Sequence, residues 1–156
     1  MKIDRNLYNN AEYIIKFFSL EGKQVTNLKL QKLLYFLEAI YMINTKENKL
    51  FDEEFTAWDF GPVNKELYDK YKINGRESLP VNENISINPI NEEYIKVLFR
   101  LFGSFSAFQL VAVSHGPGSP WDEINKKYNG EIDRNVVIDK LQTKEWFDGI
   151  VEKNDK

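Results

Sequence analysis

The sequence predicts a mainly α protein, a compact single-domain helical bundle carrying a small two-stranded β element. Three observations support this: apolar residues recur at helical spacing in several separate segments, only the stretch Phe55 to Phe60 clearly alternates like a strand, and no linker interrupts the chain. The 156 residues fall within the usual size of one domain, taken here as 1–156. Folding at that length buries roughly two thirds of the unfolded surface.

The first helix is read from Leu7 to Leu20, where Tyr8, Ala11, Ile14, Ile15 and Phe18 share one face, and it ends near Gly22. Thr26 or Asn27 then offers an N-cap. From there Leu30, Leu33, Leu34, Leu37, Ile40 and Tyr41 form a longer stripe to about Thr45, and the two helices are expected to pair as a hairpin. Phe55 to Phe60 follows as the strand, with Gly61 and Pro62 ending it and Pro62 opening a helix to about Tyr71. Ile73 to Pro89 reads as a loop in which Ile85 and Ile87 mark a second short strand, paired with the first so that backbone groups are satisfied.

Asn91 to Phe102 is helical by pattern and stops at Gly103; Ser106 caps a short helix from Ala107 to Ser114, broken by HGPGSP. Ser119 and Pro120 restart helix at Trp121. Two last pieces are expected, one from Arg134 to Leu141 and one opened by Thr143.

Composition excludes several function classes. Hydrophobic residues at 42% and aromatics at 14% argue against intrinsic disorder. Twenty-one basic against 24 acidic side chains give a net charge of −3, so no global attraction to phosphate backbones or anionic membranes arises. Without cysteine there is no disulfide or thiolate chemistry. The start, MKIDRNLYNN, has no apolar run, and no segment approaches the roughly 20 apolar residues of a membrane span, so a cytoplasmic protein is the simplest expectation.

Catalytic readings lack partners. His115 is the lone histidine and follows Ser114, but adjacent residues at a helix end diverge by about 100° and nothing marks an orienting group or oxyanion donors. A capping or packing histidine at a helix C-terminus is the plainer reading. Asp52, Glu53 and Glu54, like Asp122 and Glu123, are contiguous acids that fan into solvent or favour a helix start. No phosphate loop, zinc motif or nucleophile elbow occurs, and the positions four to six before His115 hold Val111, Leu110 and Gln109 rather than arginine. No metal or cofactor is expected. The segment from Ser106 to Tyr128 has the order of a helix-turn-helix, but its second helix opens with Pro-Trp-Asp-Glu, acids where phosphates would approach, which disfavours DNA binding.

Between the core leucines of the second helix stand Lys29, Gln31, Lys32 and Tyr35, and Trp58 and Phe60 follow on the strand. Taken singly, the first four fit a solvated face and the last two a core. Together they also have the composition of a protein-binding patch.

The strings TNLKLQKLLYF (Thr26 to Phe36), LFDEEFTAWDFGPV (Leu50 to Val63) and SHGPGSPW (Ser114 to Trp121) resemble, in order and spacing, the Panacea domain, also called the SocA-like or phage GepA-like antitoxin domain. The likeness runs from about Ala11 to the last helix. Glu38, Ala39 and Ile40 depart from it where members often carry an Ala-Gln-Gly-like stretch, and the His-to-Trp spacing is slightly wide. The resemblance implies a helical domain with a small sheet and a non-enzymatic role: binding and neutralising a toxin encoded beside it, in one branch by delivering it to an ATP-dependent protease. A phage- or mobile-element-encoded protein that binds a host defence component is the alternative, with a DNA-binding regulator behind it. The family-pattern positions expected to touch the partner are Lys29, Gln31, Lys32, Tyr35, Trp58, Phe60, His115 and Trp121.

Overall fold

A computed structural model describes residues 5–154; the charged start, Met1 to Asp4, lies outside the described residues. Among these, seven α-helices and one two-stranded antiparallel sheet occur in the order α1 (Arg5–Leu20), α2 (Asn27–Asn44), β1 (Thr56–Trp58), β2 (Gly61–Val63), α3 (Lys65–Tyr71), α4 (Pro89–Phe102), α5 (Ala107–Ser114), α6 (Pro120–Lys127) and α7 (Lys140–Asn154). The mainly helical bundle with a small sheet is therefore the observed architecture.

Helix α2 is the axis of the molecule, contacted by α1, α3, α4, α5, α7 and β2. Its start is set by Thr26, whose hydroxyl accepts the Lys29 amide, leaving Asn27 as the first helical residue. Phe36, at its middle, stacks 4.8 Å from Phe102 of α4 and 5.4 Å from Phe147 of α7, so three helices share one aromatic cluster. Helix α5 begins at a full capping box, Ser106 with Gln109, and α6 begins at Ser119 followed by Pro120.

Three elements differ from expectation. Gly61 and Pro62 do not end the β element; they form its second strand, with Thr56 opposite Val63 and Trp58 opposite Gly61. Neither Asp59 nor Phe60 has positive φ, and Gly61 at +102° closes the turn, the geometry that permits so short a hairpin. Helix α3 accordingly starts later, at Lys65, with Asn64 as its cap. The Ile85–Ile87 segment is loop, fastened to α1 by Lys16, whose ammonium donates to the Glu83 and Ile85 carbonyls.

The partner of β1 on its other edge comes from the stretch expected to be helical. Ala57 donates to Val136 O and Ile138 donates to Phe55 O, each at 2.9 Å, and Thr56 bridges Val137. Three consecutive β-branched residues, Val136, Val137 and Ile138, favour this extended path over a helix. One helix, α7, then starts at Lys140 rather than Thr143. Among the described residues no single helix is long and apolar enough to cross a membrane; α4 and α5 pass such a test only as a pair bent by 94°.

Candidate partner-binding site

The polar residues of α2 do not make an open face. Every residue from Lys29 to Ala39 is buried, because helices and the hairpin surround α2 on all sides, and a helix in that position has no solvent side for its polar residues to occupy. Several of these polar side chains are instead hydrogen-bonded to the elements packed around α2. Asn27 donates to Tyr68 O on α3 and accepts from Gln31, which in turn accepts the Asn64 amide at 2.9 Å and so fixes the junction from β2 to α3. Tyr35 shares a 2.8 Å hydrogen bond with Thr143 of α7. Lys29 keeps its ammonium 5.7 Å from the Phe18 ring, and burial, with Lys23 nearby, lowers its pKa. Lys29, Gln31, Lys32 and Tyr35 are thus buried rather than arranged as the expected surface patch, and Gln31, Lys32 and Tyr35 tie α2 to its neighbours.

Lys32 is the extreme case. It is 0% exposed, its ammonium donates to Pro62 O at 2.9 Å, and burial pulls its pKa down to about 7. A side chain on Gly61 would meet Ser114 Oγ at 2.6 Å and Lys32 Cε at 2.9 Å, so α2, β2 and the end of α5 converge on this glycine. Ser114 spends its hydroxyl proton on Val111 O. His115, the C-cap of α5, stacks on Trp121 with centroids 3.5 Å apart and planes 8° off parallel. Burial first, then the Lys32 charge, pulls its pKa down to about 4, against an opposing effect of Asp122. Trp121 completes the brace by donating from Nε1 to Trp58 O at 2.7 Å. Lys32, His115 and Trp121 therefore support the hairpin from beneath.

The supported hairpin presents an aromatic surface. Phe60, at its tip, is 55% exposed rather than part of the core, and packs edge-on against Phe108 of α5, 65% exposed, at 5.9 Å. These rings stand at the mouth of a cleft of about 460 Å³ that also touches Leu28, Tyr68, Lys72 and Arg76. A smaller hollow of about 160 Å³ shares Leu28, Phe60 and Tyr68 with it and continues to Trp58, Asp59 and Arg134. Trp58 is 9% exposed: Tyr68 meets its ring at 5.0 Å, the Arg134 guanidinium lies 4.3 Å from it, and its Nε1 donates to Thr56. Of the eight positions predicted from sequence, Phe60 is open to solvent and Trp58 lines the hollow with an edge. His115 and Trp121 are half-buried supports.

Phe108, Tyr68, Arg76 and Arg134 do not stand out in the sequence, because they come from four separate segments, α5, α3, the turn that follows α3 and the loop before α7, that only folding brings together. An exposed Phe at the second position of a short helix, beside the capping residue Ser106, was the one available signal. Glu38 was also missed as a structural residue: its carboxylate accepts the Leu50 and Phe51 amides and the Lys140 ammonium at 2.8 Å, tying the loop before β1 to α7. The molecule has a second concavity, an apolar groove of about 510 Å³ between α2, α4 and α7, whose lining carries one charge, Glu93. Among the described residues, no three His, Asp or Glu side chains gather as metal ligands.

The sequence pattern of the family described as "Antitoxin SocA-like, Panacea domain" matches residues 30–122, more than half of the chain and the region that supplies most of α2, the hairpin, α3 to α5 and the start of α6. Over 114 residues the chain is 37% identical to the protein named Antitoxin SocA of Caulobacter vibrioides, an alignment covering 64% of this chain and 60% of that protein. The chain thus spans about three fifths of that relative's length. No solved structure matches. With the family pattern matched across residues 30–122, more than half of the chain, the chain belongs to the antitoxin SocA-like, Panacea domain family.

Proposed function

We propose that this chain is a non-enzymatic antitoxin that neutralises a toxin, encoded by an adjacent gene, through direct binding at the hairpin surface. The observation that supports this reading best is the pair Phe60 and Phe108, two large exposed aromatics in edge contact at the mouth of a cleft. Exposed rings clustered over a concavity are the usual anchors of protein interfaces, where a few aromatic residues dominate the energy. Family membership supplies the partner class. Binding blocks the toxin's working surface, with the α2 side chains and the His115–Trp121 stack acting to hold the hairpin in its binding position.

Coexpression with the product of the neighbouring gene tests the reading. The wild type should restore growth and co-purify with that product. A Phe60→Ala, Phe108→Ala double variant that melts like the wild type should do neither. Toxin levels that fall during rescue, with no stable complex recovered, would favour delivery to an ATP-dependent protease over blocking. Growth rescue by the double variant would place the contact elsewhere.

A further inference from the structure

Resting on that reading of the hairpin as the docking face, we propose that its occupant is an acidic polypeptide segment of the partner, lying extended with one aromatic and one smaller apolar side chain anchored among its carboxylates. The argument begins with charge. The chain carries a net charge of −3, yet Lys72 and Arg76 line the larger cleft and Arg134 lines the smaller hollow, with Asp59 the one carboxylate among their linings. None of these three cations takes part in an ion pair among the described residues; Arg134 instead lies over the Trp58 ring. By contrast, the neighbouring Lys65 is committed to Asp69 at 2.6 Å. Unpaired cations held around aromatic walls are arranged to meet carboxylates, and such complementarity steers and selects partners.

Shape gives the second part. The two hollows, of about 460 and 160 Å³, share Leu28, Phe60 and Tyr68 in their walls, so the surface offers two adjacent recesses, a two-part trough, rather than one closed cavity. Such a trough suits an extended chain that places a large side chain in one lobe and a smaller one in the other. Single-stranded nucleic acid would use aromatics and arginines too, but it stacks bases on open ring faces along a strongly positive path. Here Phe60 and Phe108 turn edge to face on each other, at 84° between planes, and Trp58 is covered by Arg134 and Tyr68. The protein segment is therefore the better fit.

The test uses the full chain and a short fluorescein-labelled peptide of aspartates and glutamates interrupted by one tryptophan and one leucine, followed by fluorescence anisotropy. Binding should weaken about tenfold in an Arg76→Glu, Arg134→Glu variant and again with rising salt, as expected for partly exposed charge pairs. It should also be lost when the peptide's tryptophan and leucine become serine. No binding by the acidic peptide, unchanged binding by the charge-reversed variant, or tighter binding of labelled oligothymidylate would each overturn the proposal. Growth rescue distinguishes this from failure of the docking face itself. If Phe60→Ala, Phe108→Ala loses rescue and Arg76→Glu, Arg134→Glu keeps it, the face stands and the acidic occupant falls. Rescue kept by both variants would discard the face as well.

Discussion

Replacing Lys32 with methionine gives a sharp view of how the hairpin is held. Methionine matches the lysine stem in length and fills the same space without charge. In the folded chain burial lowers the Lys32 pKa to about 7, against a reference value of 10.5. Between those values the unfolded chain keeps the proton that the folded chain has released, so the unfolded state binds more protons and stability rises with pH. Below about pH 7 both states are protonated, and above 10.5 neither is, so the dependence is confined to that window. At about 1.4 kcal/mol per unit, wild-type stability should rise by roughly 3 kcal/mol relative to Lys32→Met between about pH 6.5 and 9.5. The variant also loses the bond to Pro62 O, worth about 0.5–1.5 kcal/mol for the neutral amine that prevails above pH 7. Urea unfolding of both proteins across this range reads the difference directly. Parallel pH profiles would refute the buried, lowered lysine and with it the strut assigned to the motif.

Three further outcomes follow from the same contacts. Gly61→Ala combines a φ of +102° with a Cβ placed 2.6 Å from Ser114 Oγ; it should cost at least about 2 kcal/mol in urea unfolding and shift the hairpin. Lys140→Met leaves the buried Glu38 carboxylate without its cation and should cost about 3–5 kcal/mol near neutral pH. Burial already raises the Glu38 pKa against the pull of Lys140; with Lys140 gone the folded value rises further, so the deficit should shrink as pH falls and Glu38 takes up a proton. Trp121→Phe removes the 2.7 Å bond to Trp58 O and should cost roughly 1–2 kcal/mol in thermal or chemical unfolding.

Periodicity and capping made most helices legible. Thr26, Ser106, Ser119 with Pro120, and Gly103 mark boundaries that the structure places within a few residues, since a cap is a local hydrogen bond that short-range sequence can encode. The β element was half legible. Phe55 to Phe60 alternates, but Gly61-Pro62 has the composition of a breaker, and only its pairing with Thr56–Trp58 makes it a strand. The 134–141 stretch misled because the strand partner of Val136 to Ile138, Phe55 to Ala57, is distant in the chain, so the extended preference of these β-branched residues had no visible pairing in the local sequence. The site shows the same limit. Lys29, Gln31, Lys32 and Tyr35 look like surface residues until α2 is known to be enclosed, while Phe108 and Arg134 become part of a surface only when α5 and the 134–138 segment reach the hairpin.

The central claim is that the exposed ring pair over the cleft contacts the toxin. Isothermal titration of the purified chain against the product of the adjacent gene, comparing wild type with Phe60→Ala and Phe108→Ala, measures it. Truncating an interface anchor costs about 2 kcal/mol or more, so the account predicts about thirtyfold weaker binding in each variant with unfolding curves unchanged. Wild-type affinity in both variants would contradict it.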